Sequence, residues 1–222
     1  MDITIPHSSP RTAAAARTKL LDAAVQVIRE KGYSGTSVDE LCSTAGVTKG
    51  AFFHYFKSKE ELAVAAADYW GENTDALFSN APYHHYAHAR DRVLGYIDFR
   101  IEIIRGTTAQ FTCLVGTMTQ EVFQTSPAIR DACFACIAGH AETLERDIAD
   151  ALIDPIAGQA NSVDSVEKRA TAKSLALHTQ AVLQGAFILA KAKNDPAIAI
   201  DSITHLRRYF EFLFNPLHHQ GE

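Results

Sequence analysis

TSVDELCSTAGVTKGAFFHYFKSK, residues 36–59, decides how the rest of this 222-residue chain is read. Ser37-Val38-Asp39-Glu40 has the form of a capping box, in which a serine hydroxyl and a glutamate carboxylate satisfy free N–H groups at a helix start. The helix it opens is short, because Gly46 can take the left-handed conformation that closes a helix. Thr48 is placed to cap a second helix, and Ser58-Lys59-Glu60-Glu61 repeats the box for a third. A helix of about eight residues, a glycine turn and a second short helix are helix-turn-helix proportions. They imply a reader of DNA.

Composition sets the outer limits. With 47% hydrophobic and 21% charged residues, the chain has ordinary soluble, globular values. No apolar run approaches the roughly 18 residues of a membrane span, and the start, MDITIPHSSPRTAAAARTK, lacks a signal-peptide core. Four cysteines (Cys42, Cys113, Cys133 and Cys136) do not make a disulfide framework in a chain this long. A reducing cytoplasm is the expected compartment. The net charge of -5 looks unfavourable for phosphate, but its distribution is uneven. Residues 1–60 hold eight Lys+Arg against six Asp+Glu, and the remainder 13 against 20. So small a positive surplus implies that two copies of the head act together. No phosphate-binding glycine loop, nucleophile elbow or HExxH is present, which argues against an enzyme, and no cofactor is expected.

Helix signals run almost throughout, and no stretch reads as a convincing strand. Residues 1–10, with two Pro and two Ser, should be a loose arm. Leu20, Leu21, Ala24, Val27 and Ile28 share one helical face within residues 12–31, and Gly32 stops that helix. Further helices are expected at 59–78, 87–105, 109–124, 128–153, 166–193 and 197–214. Tyr- and His-rich residues after Pro82 form a linker, and residues 154–164 read as a loop. The fold class is all-α with about nine helices. The organisation is an arm at 1–10, a helix-turn-helix domain at 11–58 and a helical effector and dimerisation domain at 59–222.

From Leu20–Ile28, through GYSGTSVDEL and AGVTKGAFFHYF, to KSKEEL, about 50 residues resemble the N-terminal domain of the TetR family of bacterial transcriptional regulators. The remaining two-thirds resembles that family only in architecture. The resemblance implies a homodimeric repressor that leaves a near-palindromic operator when a small-molecule effector binds, in the cytoplasm of a bacterium. Phe53 departs from the pattern, because the family often has tyrosine there; a phenolic phosphate contact is missing and Tyr55 takes more of that work.

The chemistry of the motif supports this reading by its own route. Specific binding needs phosphate contacts for register and side chains at base edges for sequence. Lys49, Gly50, Ala51 and His54 lie on the groove-facing part of the second short helix. Lys49 can donate to guanine, Gly50 permits close backbone approach, and His54 can donate to a base or a phosphate. Thr36, Ser37, Thr48, Tyr55 and Lys59 are placed for phosphates, Lys59 at a positive helix N-terminus. Arg11 and Arg17 can add contacts from the arm and first helix. Val38, Leu41, Val47, Phe52 and Phe56 read as core.

One helix-turn-helix reads a half-site, so a twofold dimer is the usual solution. Ile203, Leu206, Phe210 and Leu213 form a stripe on the last helix, with Phe214 beside them. The helix before it offers Leu175, Val182, Ala186 and Leu189, with small Ala181 and Gly185 for close approach. Two such helices per subunit make a four-helix interface; alternatively one stripe packs on its own domain. The middle helices should line the effector site, through Tyr69, Trp70, Phe99, Ile103, Phe111, Cys113, Met118, Phe123, Phe134 and Phe187. Gln120, Gln184, His140 and His178 are its candidate polar groups.

Cys113 opens CLVGTMTQEV, which is similar to a segment of family members that sense electrophiles through a thiol. A thiol-sensing repressor is therefore an alternative, with Cys113 as a small buried hydrophobe the plainer reading. Cys133 and Cys136 share a helical face. His84, His85 and His88 lack the carboxylate or cysteine pattern of a metal site, so no metal is expected. A helical carrier of apolar molecules that never touches DNA is the remaining alternative.

Overall fold

Short-range caps and glycines punctuate the helices of the computed structural model, which describes residues 10–153 and 165–214. Among them are ten α-helices and no strand. They are α1 (Pro10–Lys31), α2 (Val38–Ala45), α3 (Lys49–Tyr55), α4 (Lys59–Ser79), α5 (Ala89–Glu102), α6 (Thr108–Phe111), α7 (Leu114–Val122), α8 (Pro127–Ala151), α9 (Ser165–Lys193) and α10 (Pro196–Phe214). The expected linker after Pro82 contains a single 3-10 turn, Pro82–His85. Residues 1–9 of the expected arm and the expected loop at 154–164 lie outside the described residues.

The expected helix 109–124 is two helices. Thr107 and Gln110 form a capping box that starts α6, the Gln110 side chain accepting from Thr107 N at 2.7 Å. Buried Thr112 then adopts extended backbone (ψ 160) and breaks the run before α7. Similarly, α5 stops at Glu102 rather than at Arg105, and the chain turns at Gly106, whose φ of +78 suits a residue without Cβ.

The chain divides into two compact units. One comprises the described residues up to Trp70 together with Leu114–Cys133, so α7 belongs with the first three helices. Here α1 packs on α2, α3 and α7. Leu20, Leu21 and Ile28 of α1, Leu41 of α2, Phe52 of α3, Phe56, and Leu114, Val115 and Met118 of α7 are all buried. The other comprises Gly71–Cys113 and the described residues from Phe134 onward. Its core gathers Phe78, Tyr96, Ile97, Leu144, Ile148, Leu183, Phe187, Ile203, Leu206 and Phe210. In it α10 packs on α9 and α5. Both α4 and α8 run from one unit into the other.

Candidate DNA-binding head and ligand unit

In the head, Ser37 Oγ accepts from Glu40 N at 3.1 Å and starts α2. The reciprocal half of that box is not made with Ser37, because the Glu40 carboxylate pairs with Lys31 of α1 instead. Gly46 closes α2 at φ 63, its N–H directed to the carbonyls of Cys42 and Ser43. Thr48 Oγ1 accepts from Ala51 N at 3.1 Å and starts α3. Ser58 Oγ accepts from Glu61 N, while the Glu61 carboxylate accepts from Lys57 N. The capping hydroxyls of Ser37 and Thr48 act as acceptors, so their O–H protons remain free to donate to a phosphate oxygen.

The residues expected at DNA divide by exposure. Lys49, Gly50, His54 and Phe53 of α3 are exposed, as are Ser37, Thr48 and Arg17. Ala51 and Tyr55 are half-buried, and the His54 ring stands edge-on to Tyr55 at 4.8 Å. Lys49 pairs with Asp39 of α2 at 2.5 Å, a surface contact that phosphate or a base edge must displace. Arg17 lies over the Phe56 ring. Arg11 belongs to α1, and its side chain lies outside the described residues. Phe52 and Phe53 are adjacent yet opposite in role: Phe52 is fully buried and Phe53 is 56% exposed.

Thr36 and Lys59 face inward. Buried Thr36 donates its hydroxyl to the Gly32 carbonyl at 2.7 Å. Lys59 Nζ donates to the Tyr33 and Thr36 carbonyls at 3.0 and 2.8 Å and stands 4.2 Å from the Tyr33 ring centre. Partial burial lowers its pKa from the ordinary lysine value. Lys59 thus latches the start of α4 to the α1–α2 connection. From α7, the Glu121 carboxylate accepts from Tyr33 N at 3.0 Å and Ser34 N at 2.7 Å, clamping the same connection. Nothing in the sequence around Glu121 signals this role, because its partners lie 88 and 87 residues away.

The residues expected to line an effector site fall in both units. Trp70, with Arg29 over its ring, and buried Met118 are in the head unit. Phe99, Ile103, Phe111 and Cys113 pack as half-buried groups against the core of the second unit. Gln184 is half-buried, and Phe134 is 64% exposed on α8. Gln120 is exposed and donates to its own helix. Of the expected polar groups, His140 sits deepest. Its ring lies against Phe78 at 4.7 Å, and Nε2 is 3.0 Å from the Tyr96 hydroxyl. Arg100 Nε donates to the Tyr96 oxygen at 2.9 Å, its Nη2 donates to His140 Nε2, and Gln180 Nε2 donates to Tyr96 at 3.4 Å. Burial, reinforced by the Arg100 charge, lowers the His140 pKa to about 3. Tyr96, Arg100 and Gln180 went unread in the sequence. The available signal was Arg100 itself, a charge one helical turn beyond Tyr96 on an otherwise apolar stripe.

The residues of the expected dimer stripe differ in exposure. Ile203, Leu206 and Phe210 are buried in their own subunit against α5 and α9, and Ala186 is buried too. Val182 and Leu213 are half-buried against the same core. The apolar groups left outward are Leu177, Ile188 and Leu189 of α9, with Leu189 at 55% exposure, and Tyr209 and Phe212 of α10. A Cβ built on Gly185 would meet nothing within 4 Å. Helix α10 must cover its own α5 before it can offer a face to a partner, so its most apolar stripe turns inward. Among the described residues, no three His, Cys, Asp or Glu converge as metal ligands, and no helix is long and apolar enough to cross a membrane.

Two short helices joined at a left-handed glycine, the second presenting exposed Lys, Gly and His, define a helix-turn-helix DNA-binding head. Residues 20–66 match the family model described as "Bacterial regulatory proteins, tetR family". Over these residues the chain carries the N-terminal domain of that family. It is 32% identical over 121 residues to the HTH-type transcriptional repressor NemR of Escherichia coli, covering 52% of this chain and 58% of that protein. It is 31% identical over 150 residues to the transcriptional regulator AcuR of Cereibacter sphaeroides, covering 65% and 64%. The chain therefore spans less than two-thirds of either relative. A crystal structure of reduced E. coli NemR superposes with TM-score 0.66 at 24% identity, covering 87% of this chain and 95% of that one; the fold is shared.

Proposed function

We propose that this protein is a homodimeric, ligand-responsive repressor that binds a near-palindromic operator and leaves it when a small molecule binds the second unit. The observation that carries the reading is the exposed face of α3, where Lys49, Gly50 and His54 stand clear of a fully packed head. Lys49, Gly50, Ala51 and His54 meet base edges, while Ser37, Thr48, Tyr55 and Arg17 hold phosphates. Thr36 and Lys59 serve from behind, by fixing the connection that carries Ser37. The outward faces of α9 and α10, centred on Gly185, Ile188, Leu189 and Phe212, join two copies into a four-helix interface. The protein works as a regulator, not an enzyme, in the bacterial cytoplasm. Release follows from a ligand-dependent shift of α4, which runs from head to ligand unit, and effector and operator each oppose binding of the other.

The test is anisotropy of a labelled duplex from the DNA upstream of its own coding sequence, against a scrambled duplex, at several salt concentrations. Affinity should fall steeply with salt, by a slope near -0.9 per neutralised phosphate. Equal, salt-insensitive binding to both duplexes overturns the reading and favours a helical carrier without DNA binding.

A second reading is favoured by the position of Cys113. This half-buried thiol lies in the break between α6 and α7, directly before the helix that carries Glu121. Electrophile addition there would act on the head clamp through α7. If Cys113→Ser still releases the duplex fully on exposure to electrophile, thiol sensing is excluded.

A further inference from the structure

Tyr96 and Arg100 of α5, His140 of α8 and Gln180 of α9 form a cluster with too many donors. Arg100 Nη2 donates to His140 Nε2, which makes Nε2 an acceptor and puts the proton of the neutral ring on Nδ1. That Nδ1 has no hydrogen-bond partner, in a residue only 7% exposed. The nearest carboxylate, Asp75, stands 3.9 Å from it with a largely exposed side chain. Nε2 has one lone pair, yet the Tyr96 hydroxyl and Arg100 both approach it. The Tyr96 oxygen in turn receives Arg100 Nε and Gln180 Nε2. Four donor groups from three side chains therefore converge on two acceptor atoms. Among the described residues, no carboxylate lies within ion-pair distance of the Arg100 guanidinium.

A buried polar network is stable when every member is paired, and costly when it is not. Here the missing member is an anion. Arg100 supplies one positive charge in a planar fork that matches a carboxylate, and the aromatic rings of Phe78 and Phe99, themselves 5.4 Å apart, supply the apolar neighbourhood. The guanidinium carbon stacks 4.1 Å from the Phe78 ring centre, holding the fork in one orientation. Tyr96, His140 and Gln180 are buried, whereas Arg100 is half-buried and Asp75 exposed, so the cluster opens on the Asp75 side. Asp75 lies at that opening with a largely exposed side chain.

We propose that this cluster is the effector site, and that it takes a small organic monocarboxylate whose oxygens are held by Arg100, Tyr96 and His140. The proposal rests on the ligand-responsive reading above for its consequence, though not for the binding itself. One fixed cation matches one carboxylate charge, whereas a phosphate dianion would remain undercompensated.

The full chain is titrated with sodium butyrate, sodium benzoate, sodium phosphate and sodium chloride at constant ionic strength, following thermal unfolding and, in parallel, anisotropy of the upstream duplex. A saturable rise in Tm with a carboxylate, absent with phosphate and chloride, is the expected result. Arg100→Gln should weaken that binding roughly tenfold to a hundredfold. Tyr96→Phe should weaken it several-fold, and carries the comparison if Arg100→Gln does not fold by circular dichroism. No saturable carboxylate response from the folded wild type overturns the site, as does unchanged affinity in both variants or an equal response to phosphate. Duplex binding without carboxylate binding sinks the site alone, whereas carboxylate binding without duplex binding sinks the repressor reading alone.

Discussion

The head and the ligand unit handle polar groups in opposite ways. In the head, charged side chains close on backbone: Lys59 on the Tyr33 and Thr36 carbonyls, Glu121 on the Tyr33 and Ser34 amides. Each tie pairs donor with acceptor, and the α1–α2 connection is left with one shape. In the ligand unit, the Tyr96–Arg100–His140–Gln180 cluster has a surplus of donors and a ring nitrogen without a partner. A reader of fixed DNA geometry benefits from a closed network, because it presents its contacts already oriented. A receiver benefits from an unfinished one, because a ligand that completes it gains the hydrogen bonds the protein could not make for itself.

The sharpest way to test the closed side is to compare two neighbours. Phe52→Ala removes a fully buried ring and should cost about 3–5 kcal/mol in denaturant unfolding. Phe53→Ala should change stability by less than about 0.5 kcal/mol, while weakening operator binding in anisotropy. Similar stability losses for both would break the contrast between a buried Phe52 and an outward Phe53.

The open side carries a pH signature. The His140 pKa is lowered from 6.5 to about 3 by burial and by Arg100, so between those values the unfolded chain binds the extra proton. Stability is then lost as pH falls through that window, by about 2 kcal/mol between pH 7 and pH 5. Asp75 and the Tyr96 hydroxyl face the same ring and remain unchanged in His140→Gln, which should flatten the acid limb of a Tm-against-pH profile. A profile with the same acid limb in this variant would locate the titration elsewhere.

Smaller effects sharpen the picture of the clamp. Glu121→Gln keeps one acceptor but loses the charge, and should cost about 1.5 kcal/mol. If that loss is absent from chemical unfolding, the Tyr33 and Ser34 amides do not depend on α7. Gly46→Ala should cost about 1 kcal/mol, because an alanine at φ 63 pays for the left-handed conformation, although space around it is free. A neutral result there would show that the turn relaxes.

What the sequence disclosed follows the range of the forces involved. Caps at Ser37, Thr48 and Ser58 act across three residues, and Gly46 acts on itself, so the head could be read almost residue by residue. The long helices α4, α8, α9 and α10 were found within a residue or two at their starts, because amphipathic spacing and Pro or Gly punctuation are also local. The ligand cluster was not, since Tyr96 and Gln180 are 84 residues apart and Arg100 and His140 are 40 apart. Periodicity marked Ile203, Leu206 and Phe210 as one stripe but could not say against what it packs; the answer is the core of their own unit.

The placement of α7 limits how this chain can be taken apart. Its head is discontinuous, built from the described residues up to Trp70 and completed by Leu114–Cys133. The family match at residues 20–66 ends well before that second piece. A chimera that grafts the first 70 residues onto a foreign ligand domain would inherit Tyr33 and Ser34 without Glu121, and buried α1 positions without Leu114, Val115 and Met118. Portability is therefore limited in this chain, because the helix that completes the head comes from residues 114–133 and not from the first 70.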